Sequence, residues 1–208
     1  MDFNFDLQFD KHVIGVDEVG RGSWAGPVTA AAVLLNYKMP IDKRLNDSKK
    51  INPKTRKEIL EKLAENCIFG IGEVSNYEID QIGIQNATFR AMELALSDLF
   101  SRCKNLASSI VLIDGTIKPT FNKNFGSDIK IIKKGDTRSP SIAAASIFAK
   151  CTRDNLMIKL DKKVTGYGFS KNMGYGTKYH RQKVLLHGPT RFHRMTFSPM
   201  KDLRNTRP

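Results

Sequence analysis

The stretch "HVIGVDEVGRG", residues 12–22, decides the fold. Its apolar start reads as a buried strand, which ends on two acids, Asp17 and Glu18. Directly after them, Gly20-Arg21-Gly22 holds an arginine between two glycines. A buried carboxylate is unfavourable unless a cation or hydrogen-bond donors answer it. Successive residues of a strand face opposite sides, so Asp17 and Glu18 are expected to share a site only if the strand ends at Asp17 and Glu18 belongs to the turn. Taken alone, the pair reads as two ordinary surface acids.

Further strands are expected outward from this stretch. "GPVTAAAVLL" (26–35) reads as a strand returning after a glycine turn, followed by "CIFGIGEV" (67–74), "SIVLIDG" (109–115) and "DIKIIKKGD" (128–136). Helices alternate with the later strands. Asn52-Pro53 opens one with Ile59, Leu60 and Leu63 on a single face, and Ser75 with Glu78 offers a capping box. Apolar positions from Ile84 to Leu99 keep helical spacing, and Ser139-Pro140 opens an alanine-rich helix. The remainder is turn-rich, with short helical possibilities around Thr177–His187. This order predicts an α/β fold around one mixed sheet flanked by helices, with a basic, turn-rich C-terminal region. One domain over 1–208 is expected, with a core of about 13–164 and a substrate-binding region of about 165–199.

Charge points to the partner. The chain carries a formal net charge of +13, and residues 150–208 hold 14 Lys and Arg against 3 acids. A polyanion is the implied partner, because each neutralised phosphate releases counterions. A membrane is not expected, since no amphipathic anchor or spanning segment accompanies the charge. Cys67, Cys103 and Cys151 lack paired spacing, which suits reduced thiols in a cytoplasm.

Asp17, Asp114 and Asp136 each fall at the expected end of a strand, where open α/β sheets gather their sites. Carboxylates meeting there would repel one another, and Mg²⁺ or Mn²⁺ would resolve the conflict. Asp114 and Asp136 taken singly read as turn or cap residues as well.

The blocks "GVDEVGRG" (15–22), "DSKK" (47–50), "VLIDG" (111–115), "KGDTRSPSIAAASIFAKCTRD" (134–154) and "GYGT" (174–177) occur in the order seen in ribonuclease HII, the type 2 ribonucleases H. The chain resembles that family from about Val13 to about Pro199. The resemblance implies a ribonuclease H-like fold with a basic, mainly helical C-terminal region, and an endonuclease that cleaves RNA in RNA–DNA hybrids. It also implies nicking of duplex DNA on the 5′ side of embedded ribonucleotides, leaving 3′-hydroxyl and 5′-phosphate ends, with a role in ribonucleotide excision repair. It carries a four-acid metal site onto Asp17, Glu18, Asp114 and Asp136, for one or two Mn²⁺ or Mg²⁺ ions, the second arriving with substrate.

Under that resemblance, Gly20, Arg21 and Gly22 are expected to bring backbone N–H and C=O groups and a guanidinium to the 2′-hydroxyl and phosphate. Tyr175 is expected to stack on the sugar just downstream of the ribonucleotide. Ser48, Lys49, Lys50, Arg138 and Lys150 are expected to reach the nucleic-acid backbone. His180, His187 and His193 are expected to contact phosphate or fill the tail, because a metal can supply hydroxide without a histidine base. Two departures from the family pattern stand out: Asn172-Met173 precede "GYGT" in place of a common His-Lys, and Ser23-Trp24 replace a small or apolar pair. The expected partners are RNA–DNA hybrids and ribonucleotide-containing duplexes, bound by a monomer. The rival reading is a non-catalytic nucleic-acid binder, which leaves four acids at a polyanion surface without a purpose.

Overall fold

The structure, a computed structural model, describes residues 1–103, 106, 108–122, 125 and 128–205. After a single 3-10 turn at Phe5–Phe9, the chain forms β1 (Val13–Val19), β2 (Val28–Leu35), α1 (Pro53–Asn66) and β3 (Cys67–Val74). Next come α2 (Asn76–Ile82), α3 (Ile84–Arg102), β4 (Ile110–Asp114) and β5 (Asp128–Ile132). A 3-10 turn at Gly135–Thr137 then leads into α4 (Pro140–Lys163), followed by α5 (Phe169–Asn172), α6 (Lys178–His187) and α7 (Met200–Asn205). The five strands lie in the order β3-β2-β1-β4-β5. The β3-β2-β1 half is antiparallel, whereas β4 and β5 run parallel to β1. The expected mixed sheet is therefore present.

Both faces of the sheet are covered, so its central strands are apolar on both sides. Ile14, Val16, Ala30, Ala32, Val111 and Ile113 meet Ala91, Ala95 and Leu99 of α3. On the opposite face Ala31 and Val33 meet Ala143–Ala149 of α4 and Ile59 and Leu63 of α1. The helix starts follow local chemistry: the side chains of Asn52, Ser75, Ser139 and Thr177 each accept a backbone N–H of their helix's first turn. Gly15 lets α4 pass against β1, since a Cβ there would lie 2.1 Å from the Ser141 carbonyl carbon.

Two strand boundaries differ from expectation. β1 continues through Glu18 to Val19, because β2 extends the ladder with the pairs Glu18–Ala30 and Val19–Thr29. β5 stops at Ile132, and Lys134 takes a left-handed conformation (φ 54°) that turns the chain before Asp136. Asp136 thus belongs to the 3-10 turn leading into α4, and does not close the strand.

The C-terminal region packs around the residues that link β1 to β2. Trp24 N–H donates to Gly174 O at 2.7 Å, Gly26 N–H to Phe192 O at 2.9 Å, and Arg194 N–H to Trp24 O at 2.8 Å. Ala25, Met157, Tyr167, Phe169, Val184 and Met200 form its apolar centre. Among the described residues no helix is long and apolar enough to cross a membrane.

Candidate active site

β1 outlasts its neighbour at the place where the acids lie. The final β1–β4 rung pairs Val16 with Ile113, and Asp114 is the last residue of β4. Asp17 and Glu18 therefore project on opposite faces of β1 beyond that rung. The side-chain oxygen of Asp17 accepts the Glu18 N–H at 2.7 Å, which turns its carboxylate toward the strand end. Asp17 is 6% exposed. Burial, and then the charges of Glu18 and Asp114, push its carboxyl well above the usual range, against a hydrogen bond from Ser146 of α4. Burial and Asp114 likewise raise Glu18, opposed by Arg21 and Lys49. The charge of Asp114 thus acts on both acids although they project on opposite faces of one strand, and the strand does not end at Asp17 as the sequence suggested.

Asp114 is held by the next turn, its Oδ1 accepting the Gly135 N–H at 2.7 Å. Asp136 follows in that turn, and burial together with Asp114 and Asp47 raises its carboxyl. The loop 47–50 supplies the counter-charge. Asp47 shapes the loop by accepting the Lys49 N–H at 2.9 Å. Although burial opposes its charged form, Asp17, Asp47, Asp136 and Tyr175 together hold the Lys49 ammonium above its usual range.

The Gly-Arg-Gly turn is built from below by two buried arginines. Arg194 donates to the carbonyls of Arg21 (2.8 Å), Gly20 (2.7 Å), Gly26 (3.1 and 3.0 Å) and Pro27 (3.1 Å). Arg153 of α4 donates to Pro27 O (2.8 Å), Met173 O (2.8 Å), Ser23 Oγ (2.7 Å) and Ala25 O (3.1 Å). Gly20 is required by this packing: its φ is +92°, and a Cβ would lie 2.2 Å from Arg153 Nε. The carbonyls of Gly20 and Arg21 are therefore held by a buried guanidinium. Gly22 has open space around its Cα. Arg21 leans across the site, 3.6 Å from Glu18 Oε1 and donating to Gln85 Oε1 at 2.9 Å.

Tyr175 reaches the same place from the tail. Its half-buried ring lies 5.7 Å from the Arg153 guanidinium, and its phenol is among the groups acting on Lys49. Asn172 builds this loop, donating to Tyr167 O at 2.7 Å and accepting the Gly174 N–H at 2.8 Å. Met173 adopts φ 50° and gives its carbonyl to Arg153. The departure at 172–173 thus serves loop geometry. Ser23 links Arg153 to the Gly20 carbonyl, and Trp24 packs on Gly176 and His180.

Asp17, Glu18, Asp114 and Asp136 offer oxygen donors and excess negative charge, the chemistry that suits a hard divalent cation. Among the described residues no three His, Cys, Asp or Glu side chains are already gathered as a cation cluster. In kind of donor, the residues fit the cation.

A ribonuclease HII family model matches residues 14–200. The chain belongs to the ribonuclease HII family. Ribonuclease HII of Pelagibacter ubique is 45% identical over 194 residues, covering 93% of this chain and 99% of that protein. Among solved structures, ribonuclease H2 from Pyrococcus horikoshii superposes with a TM-score of 0.74 at 24% identity, over 93% of this chain and 97% of the other. Bst-RNase HIII, solved in complex with Mn²⁺, gives 0.72 at 19% identity, over 94% and 70%. These two likenesses show the ribonuclease H-like fold. Family membership implies a nuclease with ribonuclease H activity on RNA–DNA hybrids.

Three residues expected at the substrate have partners within the protein. Ser48 is buried, its hydroxyl 2.8 Å from that of Ser146, so it supports the serine that bonds Asp17. Lys150 is paired with Asp154 at 2.7 Å, one helical turn on. The guanidinium of Arg138 lies over the Phe5 ring at 4.9 Å. Lys50 is exposed beside Lys49, and its charge acts on Asp136. His180 and His193 are buried in the tail. Arg153 and Arg194, which hold the Gly-Arg-Gly turn in place, are the residues that sequence reasoning missed. Arg153 was detectable, because the spacing Ala149, Arg153, Met157, Leu160 sets it on the apolar face of α4. Nothing around Arg194 sets it apart from the other tail cations.

Proposed function

We propose that this chain hydrolyses the RNA strand of RNA–DNA hybrids and nicks duplex DNA 5′ of embedded ribonucleotides, leaving 3′-hydroxyl and 5′-phosphate ends. The observation that carries this reading is the buried Asp17, pressed by Glu18 and Asp114 beyond the last β1–β4 rung. Asp17, Glu18, Asp114 and Asp136 would hold one or two Mg²⁺ or Mn²⁺ ions. When bound, these ions would supply water activation and charge neutralisation at the leaving oxygen. The presence of Mn²⁺ in the related Bst-RNase HIII supports that choice.

The chain's own residues orient the substrate. Arg21 and Lys49 flank the acids and offer a planar fork and a point charge to adjacent phosphates. The Gly-Arg-Gly turn, with the Gly20 and Arg21 carbonyls held by Arg194, would present its backbone N–H and C=O groups to the ribose. Tyr175 supplies an aromatic face for the sugar beyond the cut, where a deoxyribose fits better than a ribose. The region 165–199 carries much of the duplex affinity within one domain spanning 1–208. We further propose a cytoplasmic monomer acting in ribonucleotide excision repair.

The test uses end-labelled duplexes containing one, four or many ribonucleotides, each with Mg²⁺ and with Mn²⁺. Metal-dependent products ending immediately 5′ of the single ribonucleotide are expected. Cleavage of the continuous hybrid with an untouched single-ribonucleotide duplex would remove the nicking activity from the proposal. Binding to every duplex without cleavage would favour the non-catalytic reading.

A further inference from the structure

Two buried histidines connect the far end of the tail to the Tyr175 loop. His180 and His193 are 0% and 1% exposed, and their Nε2 atoms lie 3.0 Å apart. His180 Nδ1 is 2.9 Å from Tyr175 O, and His193 Nδ1 is 2.9 Å from the Thr190 backbone N. These end contacts settle the protons. A carbonyl only accepts, so His180 carries its proton on Nδ1; an N–H only donates, so His193 Nδ1 is bare. The one arrangement satisfying all three contacts puts the His193 proton on Nε2, donated to the bare Nε2 of His180.

Trp24, Tyr167 and Phe169 wall the pair, and the Tyr167 hydroxyl donates to Gly188 O. His187 packs edgewise on Tyr167. Arg194, next in sequence, is bound to the carbonyls beneath the Gly-Arg-Gly turn, and Asp80 accepts the Met195 and Thr196 N–H groups. No carboxylate bonds either ring among the described residues. Burial disfavours the charged form of both, and His180 adds to that effect on His193.

We infer that His180 and His193 are positioning residues: a relay running from Thr190 to the Tyr175 carbonyl that sets the Tyr175 ring, and that works only with one proton on each imidazole. A second proton on either ring would set N–H against N–H across the 3.0 Å contact. The inference rests on the reading of Tyr175 as the contact to the sugar beyond the cut.

The test contrasts two replacements of His180. Asparagine sets an amide N–H near the Nδ1 position and so keeps the donor to Tyr175 O; glutamine reaches the Nε2 position and loses that donor. His180→Gln is expected to lose up to about tenfold in kcat/KM on a single-ribonucleotide duplex, the ceiling being the loss assigned to Tyr175 itself, and less on a continuous hybrid. His180→Asn, which keeps the donor to Tyr175 O but cuts the contact to His193, should recover only part of that loss, and His180→Gln should add nothing to Tyr175→Ala. Equal losses on both substrates that follow thermal stability, or full additivity with Tyr175→Ala, would overturn the relay. Tyr175→Ala alone losing equally on both substrates would instead overturn the junction reading, leaving the relay to be decided by additivity. Imidazole ¹⁵N shifts of the unmodified protein test it without any variant: Nδ1–H on His180 and Nε2–H on His193 are expected, and the opposite tautomers refute it.

Discussion

Asp17→Asn should uncouple activity from stability. In the native chain Asp17 is 6% exposed and feels Glu18 and Asp114, so its ionised form is held at a cost. Asparagine keeps an oxygen for the Glu18 N–H now at 2.7 Å and gains an amide that can donate to Ser146. The hydrogen bonds, each worth about 1 kcal/mol, are thus largely retained while the repulsion disappears. Single stabilising substitutions commonly yield about 0.5–2 kcal/mol, and relief of this repulsion is expected within that range. For a chain of this length, about 1 kcal/mol raises Tm by about 2–4 °C.

The sign with pH follows from the raised carboxyl. The folded Asp17 binds its proton more tightly than the unfolded one, so the native protein loses stability as pH rises from the unfolded value of 3.8 through the folded pKa. The advantage of asparagine should therefore be full at pH 8 and shrink on acidification. Cleavage with Mg²⁺ should fall at least about a thousandfold, since about 4 kcal/mol of transition-state stabilisation is removed with the central ligand. The assay is calorimetry at pH 5 and pH 8, with and without Mg²⁺, beside turnover on a labelled hybrid. Added Mg²⁺ at about 100-fold over its Kd should stabilise the native chain by about 2.7 kcal/mol and the variant much less. Native-like turnover, or a Tm several degrees lower at pH 8, would refute the strained-carboxylate reasoning.

Tyr175→Ala should lose about tenfold in kcat/KM on a single-ribonucleotide duplex and less on a continuous hybrid, measured side by side with one metal. Arg194→Met leaves the carbonyls of Gly20 and Arg21 without their buried donor, and should cost about 3 kcal/mol, seen as a Tm lower by about 6–12 °C. Lys178→Gln with Arg181→Gln on α6 should lower the slope of log affinity against log salt by about 1.8 if both contact phosphate; an unchanged slope turns that face away from the duplex. This pair is a cleaner test than deleting the tail, which also removes Arg194 from beneath the Gly-Arg-Gly turn. Because the folded pKa of His193 is lowered from 6.5 to about 4, stability is full above 6.5 and is lost as pH falls toward 4, by about 3 kcal/mol. His193→Gln should flatten that acid limb in a plot of Tm against pH, and an identical limb would place the dependence elsewhere.

Local signals were sufficient for the elements and for the kinds of residue at the site. The capped starts at Asn52, Ser75, Ser139 and Thr177 were legible because a cap is a contact between residues three apart in sequence. The third strand, 67–74, was legible from Ile68, Phe69, Ile71 and Val74, although it lies at the sheet edge and is only partly buried. The ends of β1 and β5 were misjudged, since a ladder stops where its partner stops, and β2 carries β1 past the acids. Asp17, Glu18, Asp114 and Asp136 stood out as acids beside apolar strands, but whether they share a place depends on the offset between β1 and β4. Ser48 and Lys150 read as exposed polar residues until Ser146 and Asp154 are seen beside them. Arg194 lies 174 residues from Gly20 and satisfies its carbonyl, and the two histidines meet only because the tail folds back over Trp24. Sequence determines which groups carry charge and which segments are helix or strand, because those preferences act over a few residues. Which buried charge finds which carbonyl is decided by long-range packing, where a donor must be satisfied by whatever the fold brings within 3 Å of it.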